Sequence, residues 1–132
     1  MNIPTVIVSD RKINSAILTH GMIGNAYLQL PFLPYELTSA VRGVIENSNS
    51  KEILRYEDTS IDAGSFSLCD TLPVTCDEIN VYRSLIKKEP LDFKTYDPYI
   101  TSLNYKFEKL KKLTRIKYLI NEGYRLVTIK NG

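Results

Sequence analysis

The residues with reactive side chains are few. His20 is the only histidine in 132 residues, and Cys69 and Cys76 are the only cysteines. A Ser-His-Asp or Cys-His triad would have to take its imidazole from that single position, and a four-ligand zinc site cannot be filled. The expectation is therefore a protein with no catalytic residues, no metal and no cofactor, and not an enzyme. His20 is expected to be a structural or surface residue. The cysteines are expected to be reduced thiols, with a local Cys69–Cys76 disulfide as the alternative.

What the chain concentrates is charge. Residues 101–132 hold eight Lys and Arg against two Asp and Glu, or +6, while residues 1–100 hold nine against thirteen, or −4; together these give the net +2. A basic end on an acidic body is the asymmetry expected when one end meets a polyanion. A solvated basic helix beside the chain's own acidic surface is the other reading. No apolar run approaches the roughly 18 residues of a membrane span. The start, MNIPTVIVSD, has no basic n-region and no small-residue cleavage site. Both point to a cytoplasmic protein with no membrane partner.

The elements that would position these charges follow from periodicity. Thr5 to Ser9 is a β-branched run expected to be a buried strand, and residues 11–21 are weakly helical. Ala26 to Leu30 suggests a second strand. Pro34 opens a helix with the expected apolar face Leu37, Val41, Val44 and Ile45, and Asn47 to Ser50 ends it. Short strands with an Asp-Ala-Gly turn at 62–64 fill Ile53 to Val74. Thr75 and Glu78 form a capping box ahead of Ile79, Tyr82, Leu85 and Ile86. Pro90 and Pro98 bracket a stretch expected to be irregular. A helix then carries Ile100, Leu103, Phe107 and Leu110 on one stripe, with Lys106, Lys109 and Lys112 on another beside Ser102 and Tyr105. Ile116 to Ile120 and Tyr124 to Ile129, joined at Asn121-Glu122-Gly123, read as a hairpin.

Four motifs in that frame carry a resemblance. Gly123-Tyr124-Arg125-Leu126 resembles the GYRL that closes OmpR/PhoB-type effector domains, and Leu72-Pro-Val-Thr-x-x-Glu78 resembles the segment that begins their first helix. Tyr99 to Leu103 (YITSL) is similar to the start of their recognition helix. Gly24 to Leu37 (GNAYLQLPFLPYEL) is similar to the end of a receiver domain, with Pro4 to Ser9 as the strand before it. The chain thus resembles a truncated OmpR/PhoB-type response regulator. The implied fold is α+β: a receiver-like βαβα fragment over residues 1–48, serving dimerisation, then a winged helix-turn-helix domain over 51–132.

The resemblance implies a phosphorylation-independent transcription regulator that binds double-stranded DNA. The phosphoacceptor strand and acidic metal cluster are missing, Leu30 stands where the family has a lysine, and Asp10 is read as a loop residue. Ser102, Asn104 and Tyr105 would read bases, Lys106, Lys109 and Lys112 would meet phosphates, and Arg115, Lys117 and Arg125 would flank the wing. The retained receiver face implies a homodimer, with Arg11, Ile17, Tyr27, Leu37, Val41 and Arg42 at its interface. Two strands and two helices are too small to stand alone, so this part should lean on the effector domain or on a second copy. Two departures accompany the resemblance. Residues 89–98 hold two prolines where a positioning helix belongs, and the wing tip carries Glu122 and no arginine. A degenerate mimic that binds RNA polymerase or a full-length response regulator, inhibiting it without DNA, is the alternative.

Overall fold

The computed structural model describes residues 4–20, 24–91 and 93–130. The β-branched run forms β1 (Val6–Ser9), half-buried rather than buried with Val8 exposed, and it pairs in parallel with β2 (Ala26–Gln29) from Val6 opposite Ala26 to Ser9 opposite Gln29. Parallel partners need a crossover, and the connection carries the short helix α1 (Ser15–His20). Of the expected helical residues 11–21, helix begins only at Ser15, where the Asn14 side chain accepts from the Ile17 amide at 3.0 Å. Residue 21 lies outside the described residues.

Pro34 takes the first-turn position of α2 (Pro34–Ser48), where its missing N–H leaves no bond unmade. The expected apolar face of α2 is corrected. Val44 is buried at 1% exposure, but Leu37, Val41 and Ile45 stand 38%, 40% and 47% exposed. The helix turns Val44 and Asn47, three residues apart, inward, and the Arg83 guanidinium donates to the Asn47 side-chain Oδ1 at 3.0 Å. The Leu37-Val41-Ile45 stripe lies about 60° round from Val44 and meets solvent.

Four short strands, β3 (Ile53–Tyr56), β4 (Thr59–Asp62), β5 (Ser67–Leu68) and β6 (Leu72–Pro73), form an antiparallel sheet in sequence order. The turn after β4 forms where expected. The Asp62 carboxylate accepts from the Gly64 amide at 3.0 Å, and a Cβ at Gly64 would collide with the Ser50 carbonyl oxygen. The capping box is also present: Thr75 Oγ1 accepts from the Glu78 amide and Glu78 Oε1 from the Thr75 amide, at 3.3 and 3.0 Å, opening α3 (Cys76–Ile86).

The stretch expected to be irregular around Pro90 and Pro98 is helical in its second half. Helix α4 (Phe93–Lys109) runs through Pro98. A proline there denies one i→i−4 bond, but burial of Ile100, Leu103 and Phe107 against α3 outweighs that loss. Among the described residues, no separate positioning helix stands between α3 and α4. The chain closes in an antiparallel hairpin of β7 (Thr114–Leu119) and β8 (Gly123–Thr128), with Leu119 opposite Gly123. β7 starts two residues before the expected Ile116. Gly123 turns the corner at φ +78°, in the left-handed region that glycine enters without a Cβ clash.

The architecture is α+β, with antiparallel strands, helices and one parallel strand pair. Tyr82, Phe107, Ile61, Leu68, Ile79 and Leu103 are the largest apolar side chains fully buried. Ala26 and Val44, from the first fifty residues, belong to the same core cluster. Further ties cross the chain: the Asn25 carbonyl accepts from the Cys76 amide at 2.7 Å, and α1 packs on α4. Among the described residues, no helix is long and apolar enough to cross a membrane.

Candidate nucleic-acid interface

Helix α4 buries Ile100, Ser102, Leu103, Lys106 and Phe107 on one arc. Two of these are polar, and they converge on Glu78, which is itself 0% exposed. The Lys106 ammonium donates to both Glu78 oxygens at 3.0 and 2.9 Å and to the Pro73 carbonyl at 2.9 Å. The Ser102 hydroxyl donates to Glu78 Oε2 at 2.9 Å. Glu78 therefore accepts from Thr75, Ser102 and Lys106 together, and the buried charge is fully paired. This corrects the expectation for Ser102 and Lys106. Both point into the protein and are occupied there, so neither faces a base or a phosphate.

Asn104 is also occupied. Its Nδ2 donates to the Ile116 carbonyl at 3.0 Å and its Oδ1 accepts from the Ile116 amide at 2.7 Å, so the side chain pairs with β7 as a strand would. Tyr105 is 40% exposed, but its ring meets His20 of α1 edge to face, with centroids 5.2 Å apart. The remaining outward positions of α4 include Asp97, Thr101, Glu108 and Lys109. Among the described side chains, two acids against one cation do not make a phosphate-binding face. Asn104 and Tyr105 were expected to read bases; the first is a clamp and the second is partly covered.

The positive surface lies on the hairpin. Residues alternate between its two faces, and the register sets Lys117 directly opposite Arg125 and Arg115 opposite Val127. Arg115, Lys117 and Arg125 therefore share one face, while Ile116, Tyr124 and Leu126 turn inward and are buried. Among the described residues, no carboxylate lies within ion-pair distance of these three cations. The Arg115 guanidinium donates to the carbonyls of Lys112 and Thr114 at 2.7 and 2.8 Å, and that of Arg125 to the Tyr124 carbonyl at 2.8 Å. Lys117 is exposed and unpaired among the described residues. Lys109 is exposed at the end of α4, and Lys112 is half-buried in the turn that follows.

The six residues expected at a dimer interface divide. Leu37, Val41 and Arg42 meet with Thr38, Ile45 and Glu46 in one shallow groove of about 600 Å³ on α2. Tyr27 lies in a different groove, of about 590 Å³, between α2, β2 and α3, with the carboxylates of Glu36 and Asp77. Arg11 is exposed in the loop after β1, and Ile17 is half-buried on α1. Cys76 is buried and its thiol is pushed up to about 11, chiefly by burial. Both cysteines carry free thiols, so the disulfide alternative is not realised. Among the described residues, no three His, Cys, Asp or Glu side chains gather as a metal site needs.

Sequence reasoning identified Glu78 as a cap but missed its partnership with Lys106. The available signal was that Lys106 flanks the apolar stripe of α4 rather than opposing it, with Ser102 one turn before it. No family model matches the chain, and no curated protein matches it.

Proposed function

We propose that the chain is a duplex-DNA-binding regulator of the winged helix-turn-helix kind, independent of phosphorylation, that engages DNA mainly through its C-terminal hairpin. The observation that carries this is the single hairpin face bearing Arg115, Lys117 and Arg125 with no carboxylate in reach among the described residues. Cations so arranged displace the counterions condensed on a duplex, and that release drives association. Lys109 at the end of α4 and Lys112 in the turn that follows add positive charge just before the hairpin in the chain. The exposed stripe on α2 supports a second element of the reading, a homodimer joined through Leu37, Val41 and Ile45. Dimerisation would double the number of phosphates met.

The test is a titration of a labelled duplex over a salt series. If three phosphates are neutralised per chain, affinity should fall about 40-fold between roughly 50 and 200 mM salt. Lys109→Ala with Lys117→Ala should weaken binding and flatten that dependence. An unchanged affinity in the double variant would sink the reading. One observation favours the alternative of a mimic that docks on a regulator or on RNA polymerase: α1 packs against α4, on the helix that would enter a groove. Absence of duplex binding even at low salt would favour that mimic.

A further inference from the structure

We infer that the hairpin face binds the phosphate backbone of duplex DNA without reading its sequence. This rests on the DNA-binding reading above and narrows what is recognised. Reading bases requires polar side chains free to present donors and acceptors at base edges. On α4 those groups are already used. Ser102 donates to Glu78, Lys106 is sealed in the same cluster, and Tyr105 packs on His20. Asn104 spends both ends of its amide on Ile116, the same bidentate geometry that an adenine edge would need.

The hairpin face offers only cations in their place, and of the base edges these could meet guanine alone. Its outward positions are Arg115, Lys117, Leu119, Gly123, Arg125 and Val127, with no Asn, Gln, Ser or Thr among them. Both arginines commit one Nη to backbone carbonyls, which leaves part of each fork for an anion. Lys117 is a compact, strongly hydrated point charge that meets a phosphate without a fixed fork geometry. The register also sets Lys117 against Arg125, and like charges directly opposite on a sheet repel. A phosphate between them removes that repulsion, so the arrangement favours an anion whatever base it carries.

The experiment compares two labelled duplexes of equal length, one all A·T and one all G·C, across a salt series, with selection from a randomised duplex pool beside it. The expected result is near-equal affinity for both, far below the roughly 10³-fold or greater gap between specific and non-specific sites, and no recovered consensus. Lys117→Ala should reduce the salt slope by about one unit on both duplexes alike. Asn104→Ala should lower the melting temperature and leave the ratio of the two affinities unchanged. A consensus from the pool, or a strong preference for one duplex, would overturn the inference and leave DNA binding standing. Failure of both duplexes to bind at low salt would overturn the inference together with the reading beneath it.

Discussion

Glu78 joins three pieces of chain: its own helix start, the end of β6 through Lys106 and Pro73, and α4 through Ser102 and Lys106. Removing Lys106 leaves a buried carboxylate without its counter-charge, and Lys106→Ala should cost about 3–5 kcal/mol in denaturant unfolding. Lys106→Met combined with Glu78→Leu should cost less than the two single losses added; simple additivity would show that the pair is not coupled. One residue earlier, burial pushes the Asp77 carboxyl above the ordinary aspartate range, against a hydrogen bond from Tyr99 that favours the charged form. The folded chain therefore holds that proton more tightly than the unfolded chain. The resulting stability is full below the ordinary aspartate pKa and is lost as pH rises through the raised one. Asp77→Asn should raise the melting temperature at neutral pH, and the gain should vanish as melts are taken down to about pH 3. A gain that persists in acid would contradict this.

The elements differ in how far local sequence decides them. The capping box of α3 and the Asp62-Gly64 turn were legible because each is satisfied within a few residues. The N-terminal half of α4 was not, because packing of Ile100, Leu103 and Phe107 on α3 holds a helix that Pro98 alone would argue against. The apolar residues of α2 were legible as a set but not by direction. Which of them turns inward depends on Arg83 holding Asn47, a contact 36 residues away in sequence. The same limit hid the roles of Ser102, Lys106 and Asn104, whose partners lie on other elements. On the proposed dimer, Val41→Glu should separate the copies, halving the mass seen in light scattering. Because Val41 is 40% exposed in the single chain, any fall in melting temperature should reflect the lost dimer alone and should fade as the wild type is diluted. A wild-type chain that is already monomeric at micromolar concentration would rule the dimer out.

At the scale of the whole molecule, the charge division legible in the sequence survives folding, but it lies on the hairpin rather than on α4. One lysine of the expected face, Lys106, is an interior residue. Sequence also marked a boundary after α2, between residues 48 and 51, and buried side chains from both sides of it belong to one core cluster. Ala26 and Val44 share the core with Ile79 and Phe107, and the Asn25 carbonyl receives the first amide of α3. That last bond has a consequence for modularity. Beyond its own capping box, the first amide of α3 is paired by Asn25, far upstream in the chain, so the later part should not transfer as an intact cassette. A protease site engineered at residues 49–50 should, when cut, yield two pieces that stay together through gel filtration and part only in denaturant. The piece from residue 51 onward, expressed alone, should melt earlier than the nicked pair, because it bears an orphaned amide and a bare apolar patch.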